Sequence, residues 1–274
     1  MYFTKTLMPS RALKQLFKRK YSPAIKSSKG QTINYLKVGE GPNKLLCFPG
    51  ALGTIWSDFK PQIDGLDRSK FTLIAWDPPG YGASRPPNRV FDKDFYETDA
   101  DAAQNLMQNL GIDKYSLLGW SDGGISSLIQ AAKYPDSVDK LVVWGANAYL
   151  VPDDIKAFES IRDLSKWSPR MKEPLIKLYT EQGLQQMWND WCDVMAELFK
   201  DGGDICKSRL KDIRCPTLIL HGDKDPMVLG EHPEFLLKHI KGSRLHRYPE
   251  GKHNIHLKYA EDFNKIVSEF IVSQ

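Results

Sequence analysis

Gly119-Trp120-Ser121-Asp122-Gly123 has the G-x-S-x-G spacing that places a nucleophilic serine on a sharp turn between a strand and a helix. The reversal brings neighbouring backbone so close that a Cβ at 119 or 123 would clash, and the first N–H groups of the helix face any negative charge that develops beside Ser121. At neutral pH a serine needs a histidine to take its proton and a carboxylate to hold that histidine in the right tautomer. Asp225, in His221-Gly222-Asp223-Lys224-Asp225-Pro226, and His253, in Pro249-Glu250-Gly251-Lys252-His253-Asn254, complete the chain order Ser, Asp, His. Asp223 competes for the acid's place, but Asp225 lies deeper in the loop leaving its strand, which leaves Asp223 to hydrogen-bond the turn. His256 competes with His253 and falls three residues on, within the next helical turn. The histidines at 221, 232, 239 and 246 read as structural or surface residues. A tetrahedral intermediate also needs donors aimed at its oxyanion. The backbone N–H of Asp122 is one, and Ala51 or Leu52, in Pro49-Gly50-Ala51-Leu52-Gly53, offers the second.

These residues can meet only if the elements carrying them end at one edge. Strand character is expected at Gln31–Val38, Lys44–Phe48, Phe71–Trp76, Tyr115–Leu118, Leu141–Trp144, Cys215–Leu220 and Leu245–Tyr248. Helical stretches include Phe95–Leu110, Ile125–Lys133 and Ala260–Val272. Apolar strands alternating with helices, with glycines at the strand C-termini, predict an α/β fold: a mostly parallel sheet covered on both faces. Sites in such sheets lie at the C-terminal strand ends. The alternation breaks between about 147 and 211, where Asp153–Trp167, Pro174–Thr180 and Gly183–Phe199 read as the helices of an inserted cap. The stripe Leu184, Met187, Trp188, Trp191, Met195 and Leu198 is expected to pack that cap on the sheet domain rather than to form a binding box, although a cap over the strand ends would also roof the pocket. The expected division is a basic segment at 1–21, the core at 22–146 and 212–274, and the cap at 147–211.

The 274 residues are 41% hydrophobic and 26% charged, the balance of a globular domain, and no apolar run is long enough to span a membrane. The formal charge is +4, yet six positive charges lie in the first 21 residues, leaving about −2 elsewhere. A basic nucleic-acid-binding face is thereby unsupported, and no nucleic-acid partner is expected. That first segment is acid-free and mildly amphipathic, as in a mitochondrial transit peptide; a basic tail on a cytosolic protein is the alternative. Cys47, Cys192, Cys206 and Cys215 show no metal-ligand spacing and are expected to be reduced thiols. No cofactor or metal is implied, and the expected state is a monomer.

Taken together, the motifs resemble those of the α/β-hydrolase superfamily from about Gln31 onward. Gly119–Gly124, Trp144-Gly145-Ala146-Asn147-Ala148-Tyr149 and Pro249–Asn254 are, more narrowly, similar to those of the biphenyl hydrolase-like, or valacyclovir hydrolase, family. Pro49 departs from the histidine that many superfamily members carry before the oxyanion glycine. The resemblance implies hydrolysis of α-amino-acid esters and, for animal members, association with mitochondria. Asp122 supports that substrate class on physical grounds. A carboxylate about 5 Å from an oxyanion is repelled by roughly 3 kcal/mol at an effective dielectric near 20, a penalty that a substrate ammonium would offset. An intramolecular Lys or Arg partner for Asp122 is the competing reading. The expected protein is a serine esterase for small α-amino-acid esters. Alternatives are a hydrolase of uncharged esters or carbon–carbon bonds, and a catalytically silent binding protein.

Overall fold

Period-two alternation sorts the apolar side chains of the central strands onto two faces, and each face is buried. In β4 (Asn43–Phe48), Leu46 and Phe48 join one core while Leu45 and Cys47 join the other. In β7 (Val138–Trp144), Leu141 and Val143 separate in the same way from Val142 and Trp144. Each large side chain so buried contributes about 1.5–3 kcal/mol. The computed structural model describes residues 25–26 and 30–273; the basic segment at 1–21 lies outside them.

Among the described residues, seven strands form one sheet: β3 (Tyr35–Val38), β5 (Phe71–Trp76), β4, β6 (Tyr115–Trp120), β7, β8 (Thr217–Gly222) and β9 (Arg244–Tyr248), in that spatial order. Only β3 runs antiparallel to its neighbour, pairing Tyr35 with Trp76; the remaining pairs are parallel. Helices α3 (Phe95–Asn109) and α4 (Asp122–Lys133) cover one face. The short helices α1 (Ile55–Asp58) and α2 (Lys60–Gly65) cover the other together with the C-terminal helix Ala260–Val272. Parallel register brings Trp120 level with Trp144 and Gly222 level with Tyr248, so the loops after β4, β5, β6, β7, β8 and β9 share one edge.

Between β7 and β8 lie α5 (Pro152–Ser160), α6 (Pro169–Tyr179) and α7 (Glu181–Lys200). After β8 comes α8 (Glu231–His239), whose buried His232 faces Asp154 of α5, with Nε2 3.0 Å from both carboxylate oxygens. The chain closes with α9 (Ile255–Lys258) and α10 (Ala260–Val272). No described helix is long and apolar enough to cross a membrane.

Three expectations need correction. The strand over Gln31–Val38 is two pieces: Thr32–Ile33 (β2) pairs with Ile25–Lys26 (β1), and Tyr35–Val38 joins the main sheet. The break is at Asn34, whose N–H donates to Ser84 Oγ at 2.8 Å and whose carbonyl accepts from Asp77 N at 3.0 Å. The helix over Asp153–Trp167 stops at Ser160. The Ile161 carbonyl, which would have accepted from Ser165 N–H, takes the indole N–H groups of Trp167 at 2.8 Å and Trp188 at 3.0 Å instead. Finally, α6 begins at Pro169, five residues before Pro174, because proline at a first helical position gives up only an N–H that lacks a helical partner anyway.

Candidate active site

Ser121 occupies the turn between β6 and α4 with φ 55° and ψ −124°, backbone that a non-glycine residue takes only at a cost of about 1–3 kcal/mol. The flanking glycines make that turn possible. A Cβ on Gly123 would lie 2.3 Å from the Phe48 carbonyl oxygen, and one on Gly119 would lie 2.6 Å from the Gly123 oxygen. Although Ser121 caps α4, its hydroxyl makes no capping bond and lies 3.0 Å from His253 Nε2.

His253 is held from the ends of β8 and β6. Its Nδ1 is 2.8 Å from Asp225 Oδ2, and Trp120 Nε1–H donates to its carbonyl at 3.0 Å. The Asp225 side chain is 1% exposed, and its other oxygen accepts from Met227 N at 2.8 Å and Val228 N at 3.1 Å. Burial opposes its charge, but the His253 ring and these N–H groups outweigh burial and hold the carboxyl below the usual carboxylate range. An ionised Asp225 fixes the proton on Nδ1, which leaves Nε2 free to accept from Ser121. The expected Ser121, Asp225 and His253 thus meet as one hydrogen-bonded relay.

The competitors lie elsewhere. Asp223 Oδ1 accepts from Arg247 at 2.5 Å, a surface ion pair in place of the expected bond to its own turn. His256 is fully buried and accepts at Nδ1 from Trp144 Nε1–H at 2.9 Å. Burial, then repulsion from His253, pushes His256 down to about 3, so it stays neutral.

Gly50 to Gly53 pack directly against the serine: a Cβ on Gly50 would lie 3.3 Å from Ser121 Cβ. Gly53 N–H closes this turn on the Gly50 carbonyl at 3.0 Å, and Leu52 inside it has φ 62°. No backbone carbonyl among the described residues takes up the N–H of Ala51, Leu52 or Asp122; the Leu52 N–H faces the buried Tyr81 hydroxyl. Beneath the turn, buried Asp58 accepts from Gly50 N at 2.9 Å, and burial raises its carboxyl to about 7. Above it, Tyr179 of α6 donates to the Leu52 carbonyl at 3.0 Å.

The side chain of Asp122 is buried between α3 and the inserted helix α7. Its Oδ1 accepts from Tyr96 O–H at 2.9 Å and its Oδ2 from Trp191 Nε1–H at 2.8 Å. Burial raises the carboxyl to about 6, partly offset by these two bonds and by Arg89. Arg89 itself is committed to Asp99, through two bonds of 2.6 and 2.7 Å, and no described cationic side chain forms an ion pair with Asp122. Trp191 stacks on Trp188 with ring centroids 4.7 Å apart and an interplanar angle of 5°. The tryptophan stripe of α7 therefore does more than pack, since one of its rings reaches the site. Sequence reasoning missed Tyr96, Tyr179 and Asp58, which carry no local motif. Among the described residues no group of three His, Cys, Asp or Glu side chains could hold a metal ion.

Residues 43–171 match the family described as alpha/beta hydrolase fold. The serine hydrolase BPHL of Mus musculus is 49% identical over 257 residues, which span 92% of this chain and 88% of that protein. The serine hydrolase BPHL of Homo sapiens is also 49% identical, over 88% of this chain and 84% of its own length. Among solved structures, a meta-cleavage product hydrolase from Pseudomonas fluorescens superposes with a TM-score of 0.74 at 23% identity, covering 91% of this chain and 97% of that one; this likeness bears on the fold alone. Identity of 49% along nine-tenths of the chain leaves no ambiguity of descent: the chain belongs to the biphenyl hydrolase-like serine hydrolases of the α/β-hydrolase superfamily.

Proposed function

We propose that the protein hydrolyses small esters of α-amino acids through an aminoacyl-enzyme. Ser121 Oγ attacks the ester carbonyl carbon as His253 Nε2 takes its proton, and Asp225 stabilises the imidazolium without itself being protonated. The carbonyl oxygen gains the negative charge and is received by the N–H of Asp122 and an N–H of the 51–52 peptides. When the C–O bond breaks, His253 returns the proton to the departing alcohol. Water then attacks the aminoacyl-enzyme with His253 again as base, releasing the amino acid and regenerating Ser121.

The observation that carries the substrate class is the Asp122 carboxylate: buried, next to the nucleophile, bonded to two neutral donors and ion-paired with no described cation. Tyr96 and Trp191 occupy one lone-pair site on each oxygen, and each oxygen keeps a further site with which to accept from an ammonium. An α-amino group two bonds from the scissile carbon reaches such a carboxylate, and their attraction is about 4 kcal/mol at 4 Å and an effective dielectric near 20.

The test compares kcat/KM for a valine ester and for its N-acetyl form, in wild type and in Asp122→Asn. A preference for the free amine of about 100-fold or more that collapses in the variant supports the assignment. Equal rates on both esters would leave a hydrolase for uncharged esters or carbon–carbon bonds. Failure of a fluorophosphonate to label Ser121 would leave a silent binding protein.

A further inference from the structure

Among the described residues, non-glycine side chains with positive φ occur at Leu52, Ser121 and Thr180. Leu52 and Thr180 are joined by one side chain, Tyr179. From the last position of α6, its hydroxyl donates to the Leu52 carbonyl at 3.0 Å and accepts from Gly82 N–H at 3.0 Å. The ring is 3% exposed, with the Arg85 guanidinium 4.5 Å from its centroid. Arg85 also donates to the Leu178 carbonyl at 2.5 Å, so the end of α6 is fixed from both sides. Burial raises the phenol far above its ordinary range, so it remains a neutral O–H donor.

We infer that Tyr179 is a positioning residue for the oxyanion turn, so that seating of the inserted helices and competence of the Leu52 peptide are one event. The inference rests on the proposed serine mechanism. A four-residue turn with positive φ at its third position has the type II form, in which the central peptide is rotated by about half a turn relative to type I. Here that peptide joins Ala51 to Leu52. Leu52 is a branched residue in a position where glycine is ordinary, so the sequence at this point favours the other form. Reverting to it would swing the Leu52 N–H to the opposite side of the turn. The Tyr179 bond on the Leu52 carbonyl and the Asp58 bond to Gly50 N–H hold the peptides on either side of that one, and so fix where the turn presents its central N–H. Since α6 carries the hydroxyl, displacing the inserted helices releases the turn.

Tyr179→Phe removes only the hydroxyl. Three readouts separate positioning from general packing: kcat against KM, the affinity for the boronic acid analogue of valine, whose serine adduct presents a negative oxygen, and the affinity for valine. The expected result is a kcat lower by roughly 10- to 100-fold, a boronate Ki raised by the same factor, and KM and valine Ki within about twofold of wild type. Unchanged boronate binding, or boronate and valine weakened alike, would overturn the inference. Arg85→Gln leaves the hydroxyl in place but loosens the ring; its kcat and boronate affinity should fall together, by less. If Tyr179→Phe does not fold, an Arg85→Gln enzyme with wild-type boronate binding overturns the inference by itself. Should wild type resist fluorophosphonate labelling at Ser121, the serine mechanism fails and this inference with it. Labelling with unaltered boronate binding in the Tyr179 variant sinks the inference alone.

Discussion

The indole N–H of Trp191, on α7, donates to Asp122 Oδ2 at 2.8 Å, so a residue far along the chain contacts the carboxylate beside the nucleophile. A hydrogen bond to a charged group contributes about 1.5–3 kcal/mol. Trp191→Phe keeps most of the aromatic stack and strands Oδ2. The free-amine preference in kcat/KM should fall by about tenfold or more, with less effect on the N-acetyl ester. Comparable losses on both esters would show that Trp191 only shapes the pocket.

Asp122 also sets a pH dependence. Burial raises its carboxyl to about 6, so the ionised form that attracts an ammonium is populated above that pH and lost below it. The preference for the free amine should therefore rise as pH increases through about 6 and fall again as the substrate's own α-amino group loses its proton, at about 8 for an ordinary α-amino group. Using the ratio of the two esters cancels the proton His253 must lose as base, which affects both alike. In Asp122→Asn the ratio should be flat with pH. The sign for stability is opposite: a carboxyl held protonated by the fold loses stability as pH rises through the same range.

Asp223 and Asp225 give a matched pair of substitutions. Asp225→Asn removes the acceptor that holds the Nδ1 proton, and kcat should drop by roughly 10⁴-fold. Asp223→Asn alters an exposed ion pair with Arg247 and should change kcat by less than about threefold. Similar losses from both would reopen the choice of acid. The depressed Asp225 carboxyl also stabilises the fold above the pKa that aspartate has when unfolded. That contribution disappears as pH falls through the folded value, and Asp225→Asn should be the less acid-sensitive protein in a urea titration.

Glycine to alanine inside a helix ordinarily stabilises by about 0.5–1 kcal/mol. Gly123→Ala should do the reverse. Its Cβ would meet the carbonyl oxygens of Phe48 and Pro49 at 2.3 and 2.4 Å, backbone that cannot move without shifting β4. A loss of about 2 kcal/mol or more is expected from the urea midpoint, together with a fall in kcat as Ser121 is displaced.

The sheet was legible because its strands are nearly continuous apolar runs ending in glycine-rich loops; Phe71–Trp76 agrees at both ends. Ser121, Asp225 and His253 were legible for a related reason: each follows a strand, and parallel register brings strand ends together whatever their separation in sequence. The places where reading failed are those where a distant polar group overrides local preference. Ser84 breaks the first strand at Asn34, and two tryptophan N–H groups end α5 at Ile161. No window around Tyr96 or Tyr179 indicates that its hydroxyl will find Asp122 or Leu52, because both contacts are set by how helices dock. Helix α8, unmarked in the sequence reading, has few apolar anchors, and its packing leans on the His232–Asp154 pair.

Helices α5 to α7 are tied to the rest of the fold through directional bonds at fixed points: Asp154 to His232 of α8, Tyr179 to Leu52 and Gly82, and Trp191 to Asp122. Apolar contact alone would let an insertion from another hydrolase be grafted here and slide until it fitted. Hydrogen bonds of this kind admit one seating, like the teeth of a key. A chimera carrying a foreign insertion of equal hydrophobicity can bury the same area and still lack the donors that Asp122 and Leu52 require. Specificity and turnover in this chain are thus not separable modules, and substitutions in the insertion have to be selected together with those at the strand ends.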